Sequence, residues 1–301
     1  MARIIYFGVF DRPFDTEVYI SNTLESLGHS VQRTNTGRVS SNELKWLLNN
    51  GYDFALFSKG WFKNEKEAIE IIKESKIKTV GWFWDLCWGT SRENLLSDHH
   101  LFKDSEVFTS DGGDRNWLKY GIKHQTLRQG IYEPEAIKGK FNDKFDYDVI
   151  FVGSNSHQSN FGWKHRTDLL KFLKEQYGSR FRHIGNDEEI RNLELNDVYA
   201  SAKIVVGDSV YAPHYWSNRL YETIGRGGFL IFPMIDGLEK EFTPYKHFIP
   251  YKYYDFTGLK EKIDFYLDHP EERNKIRDAG FEYCKQNHTY TERCKKLLKL
   301  I

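Results

Sequence analysis

The sequence predicts an α/β protein with two Rossmann-like domains that face each other across a cleft. Short apolar runs alternate with amphipathic segments along most of the 301 residues, as in parallel sheets with helical crossovers. The alternation pauses in a charged segment at 133–146, which is the best candidate for a linker between the domains, and restarts with a strand at Asp148. Because 40% of the residues are hydrophobic, the chain can build a separate core for each domain.

The first domain is predicted to span residues 1–133. Its opening is a βαβ unit, with an apolar strand at 3–9, a helix at 16–27 and a second strand that starts at His29. Gly8 and Asp11 lie in the loop after the first strand, where open α/β sheets bind ligands, so we expect them near a substrate. The pattern then predicts helices at 41–49, 63–74 and 116–120 and strands at 52–58, 78–83, 106–109 and 124–128.

The second domain is predicted to span 147–288, and a last segment, 289–301, has the pattern of an amphipathic helix. Apolar runs and helical periodicity predict strands at 148–152, 181–184, 203–206, 229–232 and 247–250, and helices at 166–177, 196–201, 259–267 and 270–288.

The stretch 214–242 organises this second domain, because it combines a helix, a tight turn and a buried strand. Ser217 is a good N-cap for the helix. Arg219, Glu222 and Arg226 are three and four residues apart, so they share one face, and the amino end of the helix would attract a phosphate. Glu222 could accept hydrogen bonds from a sugar diol. The alternative is a surface helix with an ordinary ion pair.

A second anion-binding feature is the small-residue loop that begins with Gly153 and Ser154. Backbone N–H groups of such a loop, together with Lys164 and Arg166 at the start of the next helix, can bind a diphosphate. No Walker A pattern is present, so ATP hydrolysis is not indicated. The alternative is a flexible polar loop beside a charged helix start.

A carboxylate at the end of the strand 78–83 is the candidate for acid–base chemistry. Asp85 lies among Trp82, Trp84 and Trp88, and a carboxylate enclosed by indoles could act as a general base or orient an acceptor hydroxyl. Asp11 is the second candidate for this role. Alternatively, Asp85 caps the next helix while the tryptophans belong to the core.

Several motifs of the stretch 214–242 resemble the donor-site segment of group 1 glycosyltransferases with GT-B architecture. These are Ser-Asn-Arg-Leu-Tyr-Glu, Gly-Arg-Gly-Gly, the apolar strand and Gly-Leu-Glu-Lys-Glu-Phe. The resemblance is strongest to the branch of spore maturation (CgeB-like) proteins. It implies that Arg219 contacts the diphosphate of a nucleotide sugar, that Glu222 binds the ribose and that Asn218 belongs to the same site. It also implies that the helix 289–301 folds back onto the first domain, although membrane-surface contact is an alternative for this basic segment.

The resemblance extends to the donor sugar and the base. It implies that the loop with Gly237, Leu238 and Glu239 contacts sugar hydroxyls through its backbone amides and its acidic side chain. In the loop before the helix, Tyr211 or Tyr215 could provide an aromatic wall for the base; the alternative is that both are ordinary loop aromatics. One position departs from the pattern of many retaining members, since His214 stands where the first of two glutamates would be. The identity of the sugar and the stereochemistry therefore stay open.

The predicted reaction is transfer of a sugar from a nucleotide sugar, such as a UDP- or GDP-sugar, to an acceptor hydroxyl. Arg219, Lys164 and Arg166 would stabilise the leaving diphosphate, with no metal and no further cofactor. The resemblance implies retention of configuration, which needs no protein nucleophile, whereas an inverting enzyme would need a base, for which Asp85 and then Asp11 are the candidates. The acceptor is open: a glycan, a protein, a small molecule or a modified DNA base. Two other functions remain, a catalytically idle nucleotide-sugar-binding or partner-binding protein and a transferase for modified bases in DNA.

Charge and cysteine content narrow the location and partners. The 43 Lys and Arg residues balance the 43 Asp and Glu residues, so no overall field draws the protein to nucleic acid or anionic lipid. The three cysteines stand in unrelated settings, which predicts free thiols in a reducing compartment. Without a leader or a long apolar run, the chain is expected to be cytoplasmic and to have no membrane span.

Overall fold

A computed structural model describes residues 1–58, 62, 64–86, 100–154, 164–185 and 190–301. The chain forms two compact units, Met1–Gln129 with Tyr290–Ile301, and Gly130–Thr289. Each unit contains one parallel sheet with connecting helices, so the predicted pair of Rossmann-like domains is confirmed. Cys87 and Trp88 lie outside the described residues, as does the part of the small-residue loop beyond Ser154.

The first unit is built on six strands, which are β1 (Arg3–Gly8), β2 (Ser30–Asn35), β3 (Phe54–Phe57), β4 (Thr79–Phe83), β5 (Glu106–Thr109) and β6 (His124–Thr126). They pair in parallel in the order β2-β1-β3-β4-β5-β6. The described helices of this part of the chain are α1 (Thr16–Ser26), α2 (Ser41–Leu48), α3 (Glu65–Ser75), α4 (His100–Lys103) and α5 (Asp114–Lys119). β1 is buried at every residue after Arg3, because a parallel sheet is covered on both faces.

The second unit contains β7 (Val149–Val152), β8 (Phe181–Ile184), β9 (Ile204–Val206), β10 (Leu230–Pro233) and β11 (Ile249–Tyr251). Its described helices are α6 (Lys164–Tyr177), α7 (Asn192–Ser201), α8 (Arg219–Gly225), α9 (Phe256–Asp268) and α10 (Pro270–Asn287). The parallel order β11-β10-β9-β7-β8 means that the chain leaves β7 on one side and returns as β9 on the other. Such a switch point opens a crevice at the carboxyl ends of the two strands, where α/β proteins bind ligands.

The last helix, α11 (Tyr290–Leu300), belongs to the first unit, where it packs against α1. Its apolar stripe is buried through Tyr290, Cys294 and Leu297. Burial raises the pKa of the Cys294 thiol, and Cys284 is a second buried cysteine. The predicted return of the C-terminal helix to the first domain is thus confirmed. Of the helices described, none has the length and apolar character needed to cross a membrane.

The segment 133–146 is an ordered part of the second unit, and its interpretation as a linker is corrected. Ala136 and Phe145 are buried in the core of that unit. Gly139 lies so close to α7 that an added Cβ would come within 2.2 Å of the backbone of Asn196. Most charged residues of the segment are exposed, and they gave it the composition of a linker although Ala136 and Phe145 between them are packed in the core. The second unit therefore begins at Gly130, upstream of the predicted boundary at 147.

Candidate active site

A buried carboxylate lies at the switch point of the second sheet. Asp208 follows β9 by two residues and is 1% exposed. Arg166, in the first turn of α6, donates from Nε to Asp208 Oδ2 at 2.8 Å and from Nη2 to Oδ1 at 3.0 Å. This paired geometry is the strong form of an arginine–carboxylate interaction, and it fixes both side chains.

A second guanidinium group shares the same carboxylate. Arg219, the first residue of α8, donates from Nη1 to Asp208 Oδ1 at 2.7 Å and to the backbone oxygen of Asp208 at 3.1 Å. Burial and the neighbouring Arg166 lower the pKa of Arg219, although arginine stays protonated in proteins. The charges of Arg166, Arg219 and Asp208 therefore sum to +1. Since the Arg219 side chain is 19% exposed, an anion arriving from solvent can approach it.

The end of β7 is shaped to receive these arginines. Both guanidinium groups lie over the ring of Phe151, each 5.6 Å from its centroid. Gly153 has a φ of 150°, and a Cβ there would stand 2.9 Å from Arg219 Nε, so a side chain would push the arginine away. The carbonyl of Ser154 accepts from Arg166 Nη1 at 2.6 Å. The structure thus brings together Gly153, Ser154, Arg166 and Arg219, whereas Lys164 is exposed at the start of α6.

Glu222 lies one helical turn beyond Arg219 and is held by two donors. Asn218 Nδ2 donates to Oε1 at 3.1 Å, and Arg226 Nε donates to Oε2 at 2.9 Å. The carboxylate is 20% exposed, so part of it faces solvent. An oriented, partly exposed carboxylate of this kind can accept hydrogen bonds from a pair of hydroxyl groups.

Arg226 differs from its predicted place beside the anion. It follows the last residue of α8 and is 2% exposed. Its guanidinium contacts Glu135, Asn196 and the carbonyl of Asn192 in addition to Glu222. Its charge is therefore used inside the protein, at the opposite end of the helix from Arg219.

The start of α8 also differs from the prediction that Ser217 is the N-cap. The cap position is Asn218, whose side chain makes no capping hydrogen bond. The hydroxyl of Ser217 instead donates to the carbonyl of Asp208 at 3.0 Å, and its N–H donates to Ser209 Oγ at 3.1 Å. Ser217 therefore fastens the loop after β9, which keeps Asp208 between the two arginines.

The loop after β10, expected to contact a sugar, is a tight turn. The N–H of Gly237 donates to Glu239 Oε2 at 3.0 Å, and the N–H of Leu238 donates to the carbonyl of Ile235 at 3.0 Å. Leu238 is fully buried, whereas Glu239 is exposed. Both amides proposed for sugar hydroxyls are thus already used within the turn, which leaves the exposed carboxylate of Glu239 as the feature of this loop that can meet a sugar.

His214 lies against this turn. Gly237 has a φ of 92°, and a Cβ there would come within 2.8 Å of His214 Nδ1. The N–H of His214 donates to the carbonyl of Asp236 at 3.2 Å, and its side chain is exposed. The imidazole therefore stands beside the predicted sugar loop.

Tyr211 is presented to solvent beside the loop after β9. Its ring meets that of Tyr253 edge-on, with centroids 4.7 Å apart. The Tyr253 hydroxyl in turn contacts the carbonyls of Ser209 and Val210 at 3.2 Å each. The exposed face of Tyr211 is suited to stacking on a planar ring, and its role as a wall for the base remains a prediction.

In the first unit, Asp85 is exposed just beyond β4. Trp82 and Trp84 are buried beside it, and Trp82 Nε1 donates to the carbonyl of Leu127 at 2.7 Å. These two indoles belong to the core and do not enclose the carboxylate, because alternate residues of a strand end point to opposite faces. Asp11, the second candidate, accepts from Arg38 at 2.5 Å and from Asn35 at 3.0 Å.

The sequence patterns did not identify a buried acid at the switch point of the first sheet, which lies between β1 and β3. Glu17, in the first turn of α1, is almost fully buried and accepts from Ser58 Oγ at 3.2 Å. Gly8 makes room for it, because a Cβ there would lie 2.6 Å from Glu17 Cγ. Asp208 was missed in the same way. Asp208 follows the end of β9 by two residues, which was an available signal, whereas Glu17 lies in α1 and reaches the end of β1 only through tertiary packing.

A buried histidine adjoins the arginine site. His165 is enclosed by the rings of Tyr251, Tyr253, Tyr254 and Phe256, with centroids 4.9 to 6.0 Å away. Within the described residues neither ring nitrogen has a hydrogen-bond partner. Burial lowers the pKa of His165, and the charge of Arg166 adds a smaller effect in the same direction. Together they outweigh Asp208 and Asp168, whose charges act to raise this pKa.

This environment predicts a pH effect on stability. Because the pKa of His165 is lower in the folded protein, the unfolded chain takes up the proton first as the pH falls. The neutral ring therefore contributes its full stability above the ordinary pKa of about 6.5, and this contribution decreases below that pH. We expect His165→Phe to lose less unfolding free energy than the wild type between pH 7 and pH 5.5, measured by urea denaturation. The exposed variant His269→Phe should follow the wild type, and an identical slope in His165→Phe would contradict the assignment.

Within the described ranges no cluster of three or more His, Cys, Asp or Glu side chains is placed to hold a metal ion. In the described part of the site, the cationic groups beside Asp208 are the guanidinium groups of Arg166 and Arg219.

Part of the chain matches a known protein family, and the whole chain is similar in fold to solved structures. Residues 164–299 match the family model described as glycosyl transferase-like. Among solved structures, Anabaena HepE in complex with UDP-glucose is 11% identical, with a TM-score of 0.67, and the match covers 100% of this chain and 99% of HepE. Among curated protein sequences, none matches the chain.

Two further structures have the same fold over nearly their whole length. A glycosyltransferase from Rickettsia africae is 12% identical, with a TM-score of 0.66 and coverage of 99% of this chain and 97% of the other. Sucrose-phosphate synthase from Thermosynechococcus elongatus is 11% identical, with a TM-score of 0.67 and coverage of 100% and 98%. The chain thus has the GT-B fold, and its match to the glycosyl transferase-like family over residues 164–299 supports a glycosyltransferase.

Proposed function

We propose that the protein transfers a sugar from a nucleotide sugar to an acceptor hydroxyl. The second unit would bind the donor, with its diphosphate on Arg219 and Arg166 and its ribose on Glu222, and the first unit would bind the acceptor. The observation that carries this proposal is the pair of guanidinium groups, those of Arg166 and Arg219, on the single carboxylate of Asp208. Glu222 lies one helical turn beyond Arg219 in α8. HepE, which shares the fold, is described in complex with UDP-glucose.

The charge of this site suits the chemistry of the leaving group. When the bond between the sugar and the diphosphate breaks, negative charge accumulates on the departing phosphate oxygen. A preorganised guanidinium group close to that oxygen stabilises the transition state more than the ground state. Asp208 and Phe151 hold Arg219 in place before the donor arrives, so little reorganisation is needed.

We further propose retention of configuration without a metal ion. The acceptor oxygen bonds to the anomeric carbon, the bond to the phosphate oxygen breaks, and that oxygen takes the hydroxyl proton, so no protein nucleophile is needed. The guanidinium charges that would replace a metal ion support this proposal. For an inverting reaction, the exposed Asp85 would serve as the base, with Asp11 as the second candidate.

The finer assignments belong to the same proposal. The motifs that resemble the spore maturation branch lie within the residues that match the family model, which supports membership of that branch. The buried thiol of Cys294 supports a cytoplasmic location, where thiols stay reduced. Glu239, Tyr211 and His214 would contact the sugar or the base, and Lys164 would approach the diphosphate from the start of α6.

The proposal is tested with a panel of UDP-, GDP- and other sugar nucleotides and a panel of glycan, protein and small-molecule acceptors. We expect one donor to release nucleoside diphosphate and to label an acceptor, with equal rates in the presence and absence of EDTA. Glu222→Ala should raise the donor KM far more than the acceptor KM. Binding of donors without turnover would favour an idle binder, whereas transfer to modified DNA with steep salt dependence would favour the DNA enzyme. Failure to bind any donor would overturn the proposal.

A further inference from the structure

We infer that Arg226 is a positioning residue, which orients Glu222 for the ribose and is itself held by Glu135 and Asn196. This inference rests on the proposed function, because it concerns the same ribose-binding carboxylate. It assigns a role to a buried cation that does not contact the anion site.

The contacts of Arg226 fix its guanidinium group from three directions. Nε donates to Glu222 Oε2 at 2.9 Å, Nη1 donates to the carbonyl of Asn192 at 2.9 Å and to Asn196 Oδ1, and Nη2 donates to Glu135 Oε2. Each nitrogen of the group thus donates to an oxygen. A planar guanidinium with all three nitrogens engaged has one orientation, and Glu222 is presented with a fixed donor.

The partners of Arg226 are fixed in turn. Asn196 is buried, and its Nδ2 donates to the carbonyls of Glu135 and Ile137 at 2.8 and 2.6 Å. This arrangement leaves Asn196 Oδ1 to face the arginine. The chain of contacts therefore runs from the segment 133–146 through Arg226 to the carboxylate of Glu222.

Of the three charged side chains in this network, that of Glu222 is the most exposed. The side chains of Arg226 and Glu135 are 2% and 7% exposed, whereas that of Glu222 is 20% exposed. Burial alone would lower the pKa of Arg226, but the charges of Glu222 and Glu135 outweigh it and raise this pKa. The partly exposed charged group of this network is thus the carboxylate of Glu222, which a ligand can reach from solvent.

The geometry at Glu222 leaves room for a diol. Arg226 occupies one position on Oε2, and Asn218 occupies one on Oε1 at 3.1 Å. An ionised carboxylate has about four acceptor positions, so each oxygen can still accept a hydroxyl hydrogen bond. A carboxylate free to rotate would present these positions only part of the time, and Arg226 removes that freedom.

A purely structural role makes a different prediction, so the test must measure more than stability. We propose measuring by calorimetry the affinities for UDP and GDP and for their 2′-deoxy analogues, which lack one ribose hydroxyl. The wild type should prefer the ribose forms by about tenfold or more, since a hydrogen bond to a charged group is typically worth such a factor. The ratio of the two dissociation constants reports on Glu222 and is insensitive to a general loss of folded protein.

The main variant is the double change Glu135→Gln with Arg226→Met, which removes both buried charges and avoids leaving either one unpaired. We expect the ribose preference to fall to about twofold or less while diphosphate binding persists. The single variant Glu135→Gln should keep most of the ribose preference. The single variant Arg226→Lys should show a ribose preference between those of the wild type and the double variant. A matched control is Arg273→Met, which removes another buried arginine, one whose Nη1 donates to the carbonyl of Tyr266 at 2.5 Å, and should leave the ratio unchanged.

The outcomes separate this inference from the proposed function. A folded double variant with the wild-type ribose preference would overturn the positioning role, and so would Arg226→Lys with an unchanged preference if the double variant does not fold. Equal wild-type affinity for both forms would overturn the contact between Glu222 and ribose. If the wild type binds none of these four nucleotides and none of the other donors of the panel, the proposed function fails, and the inference fails with it.

Discussion

Replacing Arg219 by methionine is expected to reduce kcat/KM for the donor by about 100- to 1,000-fold, or roughly 2.7–4 kcal/mol, as for the loss of one preorganised charge-stabilising donor. Asp208 and Phe151 hold the guanidinium group in place before substrate binds. Because negative charge on the diphosphate grows as the sugar leaves, most of the loss should appear in kcat and a smaller part in the binding of the ground state. Steady-state kinetics with the active sugar nucleotide measure both terms.

The matched control for this variant is Arg180→Met. Arg180 is exposed just before β8, where it pairs with Asp148 at 3.0 Å. This pair lies at the amino ends of β7 and β8, whereas the switch point lies at the carboxyl ends of the strands. The same substitution there should leave kcat/KM within about twofold of the wild type, because exposed ion pairs contribute little. Comparable kinetics in the two variants would remove Arg219 from the catalytic site.

Replacing Asp208 by asparagine is expected to have the largest effect on stability, at about 3–5 kcal/mol, as for other buried ion pairs that lose one partner. The substitution leaves Arg166 and Arg219 close together without their shared counter-charge. Urea denaturation of the variant measures the loss. Inorganic pyrophosphate should then raise the melting temperature of the variant more than that of the wild type, because an anion can replace the missing carboxylate.

The control for Asp208 is Asp148, which also binds two cations but near the surface. Asp148 accepts from Lys203 at 2.6 Å and from Arg180 at 3.0 Å, and both cations are about half exposed. Asp148→Asn should therefore cost only about 0–1 kcal/mol. Equal losses in the two variants, or no response of Asp208→Asn to pyrophosphate, would contradict the assigned role of Asp208.

The fold could be predicted well from the sequence because its signals are local. The apolar run at 3–9 became β1, which spans Arg3–Gly8, and the periodic segment at 16–27 became α1, which spans Thr16–Ser26. Alternating strands and helices then require parallel pairing with crossovers, so the architecture follows from the order of the elements. The segment 133–146 misled the prediction because composition does not distinguish a solvated linker from a charged strip that covers a core.

The site could be predicted only in part, because its decisive contacts join distant residues. Arg166 and Asp208 are 42 residues apart in sequence, and Arg226 and Glu135 are 91 apart. The helical spacing of Arg219 and Glu222 placed both at the site, but it also suggested that Arg226 faces the anion. Which residue of a helix turns inward is decided by tertiary partners such as Glu135, and periodicity alone does not identify them.

The most direct measurement is a crystal structure of the protein with a bound nucleoside diphosphate, starting with UDP. The account predicts that phosphate oxygens lie within about 3.2 Å of the guanidinium nitrogens of Arg219, and that a ribose hydroxyl lies within the same distance of Glu222. A diphosphate that binds away from Arg219, or a ribose that does not contact Glu222, would contradict it.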